Sequence, residues 1–144
     1  MKYTELDLQI EDIMWFGVDK NGNIFEATSG GRANVPEFIV NSRENNEELI
    51  NYFLNQANGM INYKSMKELN PKYQMYKDCL ILSSNGITCY DMAKEDENNY
   101  SKITIPEKLL NINSVPETIQ NILKHNTVDI DINCEEQLIV KNAY

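Results

Sequence analysis

A chain of 144 residues, 42% of them apolar and including eight Tyr and one Trp, is long enough for one domain with its own core and too short for two comfortable ones. A domain of that size buries roughly 68–70% of its unfolded surface, so it needs no disulfide or metal as a staple. Its 22 acidic residues outnumber 13 basic ones for a formal charge of −9, which argues against nucleic acid and anionic membrane as partners and favours a basic protein.

The opening Met1-Lys2-Tyr3-Thr4-Glu5 is polar and acidic and lacks the apolar region of a secretory signal. No stretch approaches the roughly 18 apolar residues of a membrane span, so a soluble, cytoplasmic protein is expected. Residues 13–18 and Ile24 to Thr28 are strand-like, and Asp19-Lys20-Asn21-Gly22-Asn23 between them is turn chemistry, which predicts a hairpin. Gly30-Gly31 breaks the second strand, and Val35-Pro36 begins a new segment.

Residues 43–57 predict a helix capped by Asn41 or Ser42, with Leu49, Ile50, Phe53 and Leu54 as its apolar stripe. Asn70-Pro71 reads as the start of a short helix carrying Tyr73 and Tyr76. Leu80–Ser83, the turn Ser84-Asn85-Gly86 and Ile87–Met92 predict a second hairpin. A charged loop from Lys94 to Asn99 follows, then a strand over Ser101–Ile105 ended by Pro106. Ser114-Val115-Pro116-Glu117 is an S-x-x-E capping box whose helix buries Val115, Ile119, Ile122 and Leu123 and ends near His125-Asn126. Residues 128–132 alternate like a strand with one wet face, with residues 137–140 as its hairpin partner. The sum is a single α+β domain over 1–144: an antiparallel sheet built from hairpins, with two main helices near 43–57 and 115–125 packed on one side.

Candidate chemistry is sparse. His125 is the only histidine; at a helix C-terminus it complements the dipole, and no Ser or Cys motif stands beside it. Cys79, Cys89 and Cys134 show no C-x-x-C spacing and read as small buried hydrophobes. In the predicted second hairpin, a two-residue turn pairs Cys89 with Leu82 and sends Cys79 to the opposite face. A three-residue turn sets Cys89 opposite Ile81 with Cys79 only diagonal, so neither register makes an easy disulfide.

Asp129, Asp131 and Asn133 open like a calcium loop, but Cys134 stands where Gly is required and Val140 where the bidentate ligand belongs. Asp19, Asn21 and Asn23 fail in the same way. Asp129 and Asp131 share a face of the predicted strand and read as its solvated side. Gly30-Gly31 is followed by no Lys-Ser/Thr and is no phosphate loop. No catalytic residue, metal or cofactor is expected. Glu44, Glu47 and Glu48 suit a helix N-terminus. Glu95, Asp96 and Glu97, flanked by Tyr90 and Tyr100, have no such structural duty and form the candidate partner-binding group, since Tyr is enriched at interfaces.

Several segments together carry a resemblance. They are Trp15-Phe16-Gly17-Val18-Asp19-Lys20-Asn21-Gly22-Asn23-Ile24, Thr28-Ser29-Gly30-Gly31, Val35-Pro36-Glu37, Asn85-Gly86-Ile87 with Tyr90-Asp91, Ile105-Pro106 and Val115-Pro116-Glu117-Thr118-Ile119. The chain resembles small acidic bacterial immunity proteins of polymorphic-toxin and contact-dependent growth-inhibition systems. The resemblance implies a cytosolic, non-catalytic protein that binds one cognate toxin domain, such as a nuclease, and blocks it by direct contact; it transfers no binding residues. The SUKH superfamily of immunity-like proteins opens on a helix, whereas this chain reads as opening on a hairpin, so it is not assigned there. The alternative to an immunity protein is a non-catalytic regulatory module that binds a small molecule or peptide.

Overall fold

The computed structural model describes residues 1–31, 34–69, 76–93 and 96–140, with backbone alone at 57, 58, 68, 69, 93, 96 and 97. The predicted first hairpin forms from β1 (Met14–Val18) and β2 (Ile24–Thr28). Its turn is built by Asp19, whose Oδ1 accepts from the amides of Asn21 and Asn23 at 2.9 Å each, while Gly22 takes a φ of +84°.

The sheet runs β1-β2-β4-β5-β3, where β3 is Met66–Leu69, β4 Thr88–Ala93 and β5 Asp96–Pro106; β6 (Gln137–Ile139) also pairs with β5. Every pairing is antiparallel except β2 with β4. A parallel neighbour requires a long crossover, and here it carries α2 (Glu37–Val40), α3 (Arg43–Leu54) and α4 (Lys77–Ser84).

Alternation along the strands creates two cores. Phe16, Ile24 and Cys89 face Leu49 and Phe53 of α3, Leu82 of α4, and Ile119 and Leu123 of α5 (Glu117–Leu123). The two predicted main helices, α3 and α5, therefore share one side of the sheet, joined there by α4. On the other face Trp15, Phe25, Tyr90 and Tyr100 pack against Leu8 of α1 (Glu5–Ile10), Ile39 of α2, Ile132 and Leu138. The architecture is α+β.

Four expectations need correction. The chain opens on a helix: the Thr4 hydroxyl accepts from the Asp7 amide at 3.1 Å and the Asp7 carboxylate accepts from the Thr4 amide at 2.8 Å, a reciprocal cap for α1. The first strand of the predicted second hairpin is instead the helix α4. Its glycine is a helix stop, with Gly86 at φ +94°, its amide donating to Ser83 O at 3.2 Å and the Ile87 amide to Leu82 O at 3.1 Å. A side chain at Gly86 would meet the Lys108 carbonyl at 2.8 Å.

Residues 128–132 form no strand. The Asp19 Oδ2 captures the Ile132 amide at 3.1 Å, and the Asp131 Oδ1 accepts from the Asn133 amide at 2.9 Å, so side chains take the bonds a ladder would need. β6 accordingly pairs with β5 instead. The Ser114 capping box is not formed either, because Ser114 lies in a 3₁₀ turn, Ile112–Ser114, and Pro116 becomes the N-cap of α5 with no side-chain bond. The short helix expected from Asn70-Pro71 falls at residues 70–75, outside those described, and Tyr76 directly precedes α4.

Candidate functional site

Of the candidate partner residues, the two tyrosines lie inside the protein. Tyr90 and Tyr100 are both fully buried on β4 and β5. Tyr90 packs edge-on against Phe25 at 5.8 Å and donates its hydroxyl to Glu135 O at 3.0 Å. Tyr100 stands edge-on to Trp15 at 5.7 Å and donates to Asn34 O at 2.5 Å. Burial pushes both phenols above their ordinary range. Both therefore serve the core. Glu95 lies outside the described residues, as do the side chains of Asp96 and Glu97, whose backbone starts β5 so that the expected loop is shorter.

His125 is exposed at the end of α5, beside a cavity of about 330 Å³. Its imidazole there complements the helix dipole. His125→Ala is expected to leave any binding activity intact and to cost no more than about 0.3–1 kcal/mol in a urea melt. Loss of binding in a normally folded variant would overturn that assignment.

The described residues instead enclose a cleft of about 770 Å³. One wall is a stripe of α3, where Arg43, Glu47, Ile50 and Leu54 recur at helical spacing. A second is the α1–β1 connection with Glu11 and Asp12, and the N-terminal turn of α4 supplies Lys77, Asp78 and Cys79. Thr28 at the end of β2 and its partner Asp91 on β4 close it.

Arg43 fixes the first two walls to each other. Its guanidinium reaches Glu11 and Glu47 at 3.1 Å and Asp7 at 3.4 Å, with the Tyr3 ring 5.0 Å away. Asp12 accepts from the Gly30 amide at 2.7 Å, which ties the end of β2 to the same wall. Among the described residues, five carboxylates, Glu11, Asp12, Glu47, Asp78 and Asp91, line the cleft against two cations, Arg43 and Lys77. Such a surface attracts positive charge.

Beneath the cleft lies Glu26 of β2, a fully buried carboxyl on the helix-covered face. The Thr28 hydroxyl donates to its Oε1, while Oε2 has no hydrogen-bond partner among the described residues. Burial pushes this carboxyl up to about 8; the Thr28 hydroxyl and Cys89 thiol offset only part of that, and Asp91 and Asp12 add repulsion.

Cys79 and Cys89 do not sit on a shared hairpin as expected. With α4 lying over β4 they converge on Glu26, all three ligand atoms being within 4.8 Å of one another. The expected burial of Cys79 and Cys89 does hold, and Cys134 is exposed. Burial and the neighbouring Cys79 push the Cys89 thiol well up, which makes it a poor nucleophile.

Sequence reasoning passed over Glu26. The signal available was an acid inside the apolar run Ile24-Phe25-Glu26-Ala27, since a central strand buried on both faces leaves such an acid no route to water. No protein-family model, curated protein or solved structure matches this chain.

Proposed function

We propose that this protein is a non-catalytic, immunity-type inhibitor that acts in the cytoplasm, taking a basic segment of a cognate toxin domain into the acidic cleft and neutralising the toxin by contact. The observation that carries this reading is the charge of the cleft, where the described residues set five carboxylates against two cations in a concavity of about 770 Å³. The overall charge of −9 reinforces it, because an acidic inhibitor and a basic toxin attract before they touch.

The test is protection. A toxin domain should be encoded in a gene neighbouring this one, cells producing that domain should survive when the chain is co-expressed, and the two proteins should co-purify. Neutralising the cleft with Asp12→Asn and Asp78→Asn keeps the acceptor for the Gly30 amide but removes two charges. That variant should protect less at equal expression. Full protection by the variant would show that the cleft is not the docking site.

The cleft volume also favours a second reading, a regulatory module for a small cationic molecule or peptide, because it falls within the roughly 300–1,000 Å³ typical of ligand pockets. Ligand-dependent stabilisation by a polyamine or a lysine-rich peptide, with no toxin captured, would select that reading.

A further inference from the structure

We propose that Glu26, Cys79 and Cys89 form a zinc site at the floor of the cleft, with the Glu26 Oε2 and the two cysteine sulfurs as its ligands. Three observations converge on it. The ligand atoms come from β2, α4 and β4, and packing of the core already holds them within 4.8 Å of one another. Zinc bonds of about 2.3 Å to sulfur and about 2.0–2.2 Å to oxygen set tetrahedral edges of roughly 3.5–3.8 Å, so side chains need close by only about 1 Å.

The second observation is the orphaned oxygen. A fully buried carboxyl oxygen without a partner is costly, and among the described residues Oε2 has none, the Thr28 hydroxyl being spent on Oε1. A cation at the sulfurs would satisfy it. Thr28 would then act as the outer partner that orients the carboxylate. On the other side, the Ser83 hydroxyl lies 3.8 Å from the Cys89 sulfur and is itself hydrogen-bonded to Thr104. That pair would hold the second ligand in place.

The third observation is access. Cys79 belongs both to the cleft wall and to this cluster, Thr28 on the same wall donates to Glu26, and the carboxylates above them favour the approach of a cation. Two thiolates and one carboxylate form a zinc donor set; calcium and magnesium take oxygen alone. Three protein ligands leave a fourth position for water or for a donor from whatever occupies the cleft.

The experiment uses the full chain carrying Cys134→Ser, stripped with a chelator and kept reduced, so that the exposed thiol cannot contribute. Cobalt(II) is added as a spectroscopic probe, followed by zinc. One equivalent of cobalt should give thiolate-to-metal charge-transfer absorption and the intense visible bands of a tetrahedral ion, and zinc should abolish both. Cys79→Ser should remove about half of the charge-transfer intensity. Glu26→Gln should keep the thiolate bands but weaken zinc binding at least about 10–100-fold, the range seen even for loss of an outer partner. Absence of thiolate bands in the parent chain would overturn the site without depending on any variant's folding. Bands unchanged in both Cys79→Ser and Cys89→Ser would overturn it as well.

Discussion

Raising the pH from about 5 to about 8 should lower the stability of the metal-free protein by about 3–4 kcal/mol, and Glu26→Gln should remove most of that slope. The cause is Glu26, whose carboxyl is fully buried and titrates in the folded state at about 8 instead of the usual 4.5. Between those values the folded chain holds a proton that the unfolded chain has lost. Stability therefore falls as pH rises through the window, by about 1.36 kcal/mol per pH unit.

Other perturbed groups act elsewhere. Asp7 and Glu44 are held below their usual range, so the stability they contribute disappears only in acid. Tyr3, Tyr90, Tyr100 and Cys89 are pushed up from higher starting points and act in alkali. The measurement is urea unfolding at several pH values with chelator present. A flat profile from pH 5 to 8, or a Glu26→Gln slope equal to that of the parent, would contradict the assignment.

Trp15→Ala should cost about 3–5 kcal/mol, a large part of the 5–15 kcal/mol that holds a domain together. Trp15 is fully buried on β1 and stands edge-on to Phe25 at 5.7 Å, Phe38 at 6.0 Å and Tyr100 at 5.7 Å. Its indole N–H donates to the Tyr100 hydroxyl at 3.3 Å. Truncation leaves a cavity between the sheet and α2 and unseats the tyrosine whose own hydroxyl anchors residue 34. Trp15→Phe fills most of the volume and should lose far less. A loss below about 1.5 kcal/mol for the alanine variant, from chemical denaturation, would show that this face of the sheet repacks freely.

The parts of the fold legible in sequence were those fixed by local chemistry. The first hairpin follows from one short polar segment, because Asp19 bonds its own turn and Gly22 supplies the positive φ. Likewise α3 follows from Ser42, whose hydroxyl accepts from the Asn45 amide at 3.3 Å, and from a buried face at Leu49 and Phe53.

What could not be read were cases where one local pattern serves two structures. Cys79 to Leu82 is an apolar run without a period, and Asn85-Gly86 closes a hairpin as readily as it stops a helix; only packing against β4 and β5 decides for α4. Thr4 to Asp7 is a capping box with Asp in place of the commoner Glu, opening a helix of six residues with one buried side chain. The site was hidden for a different reason. Glu26, Cys79 and Cys89 are distant in the chain, and only the parallel β2–β4 pairing and the crossover that serves it bring them together.

The most direct test of the proposed function is the rate at which the purified chain associates with its captured toxin partner, followed by stopped flow at two ionic strengths. Wild-type association should slow between 0.1 M and 1 M salt, as the Debye length falls from about 10 Å to about 3 Å. Asp12→Asn with Asp78→Asn should associate roughly 10-fold or more slowly at low salt and approach the wild type at high salt, with dissociation changed less. Neutralising Glu95, Asp96 and Glu97 together provides the comparison, and should slow association less than the cleft variant does. An association rate indifferent to salt and to the cleft substitutions would contradict the account, as would failure to capture any basic partner.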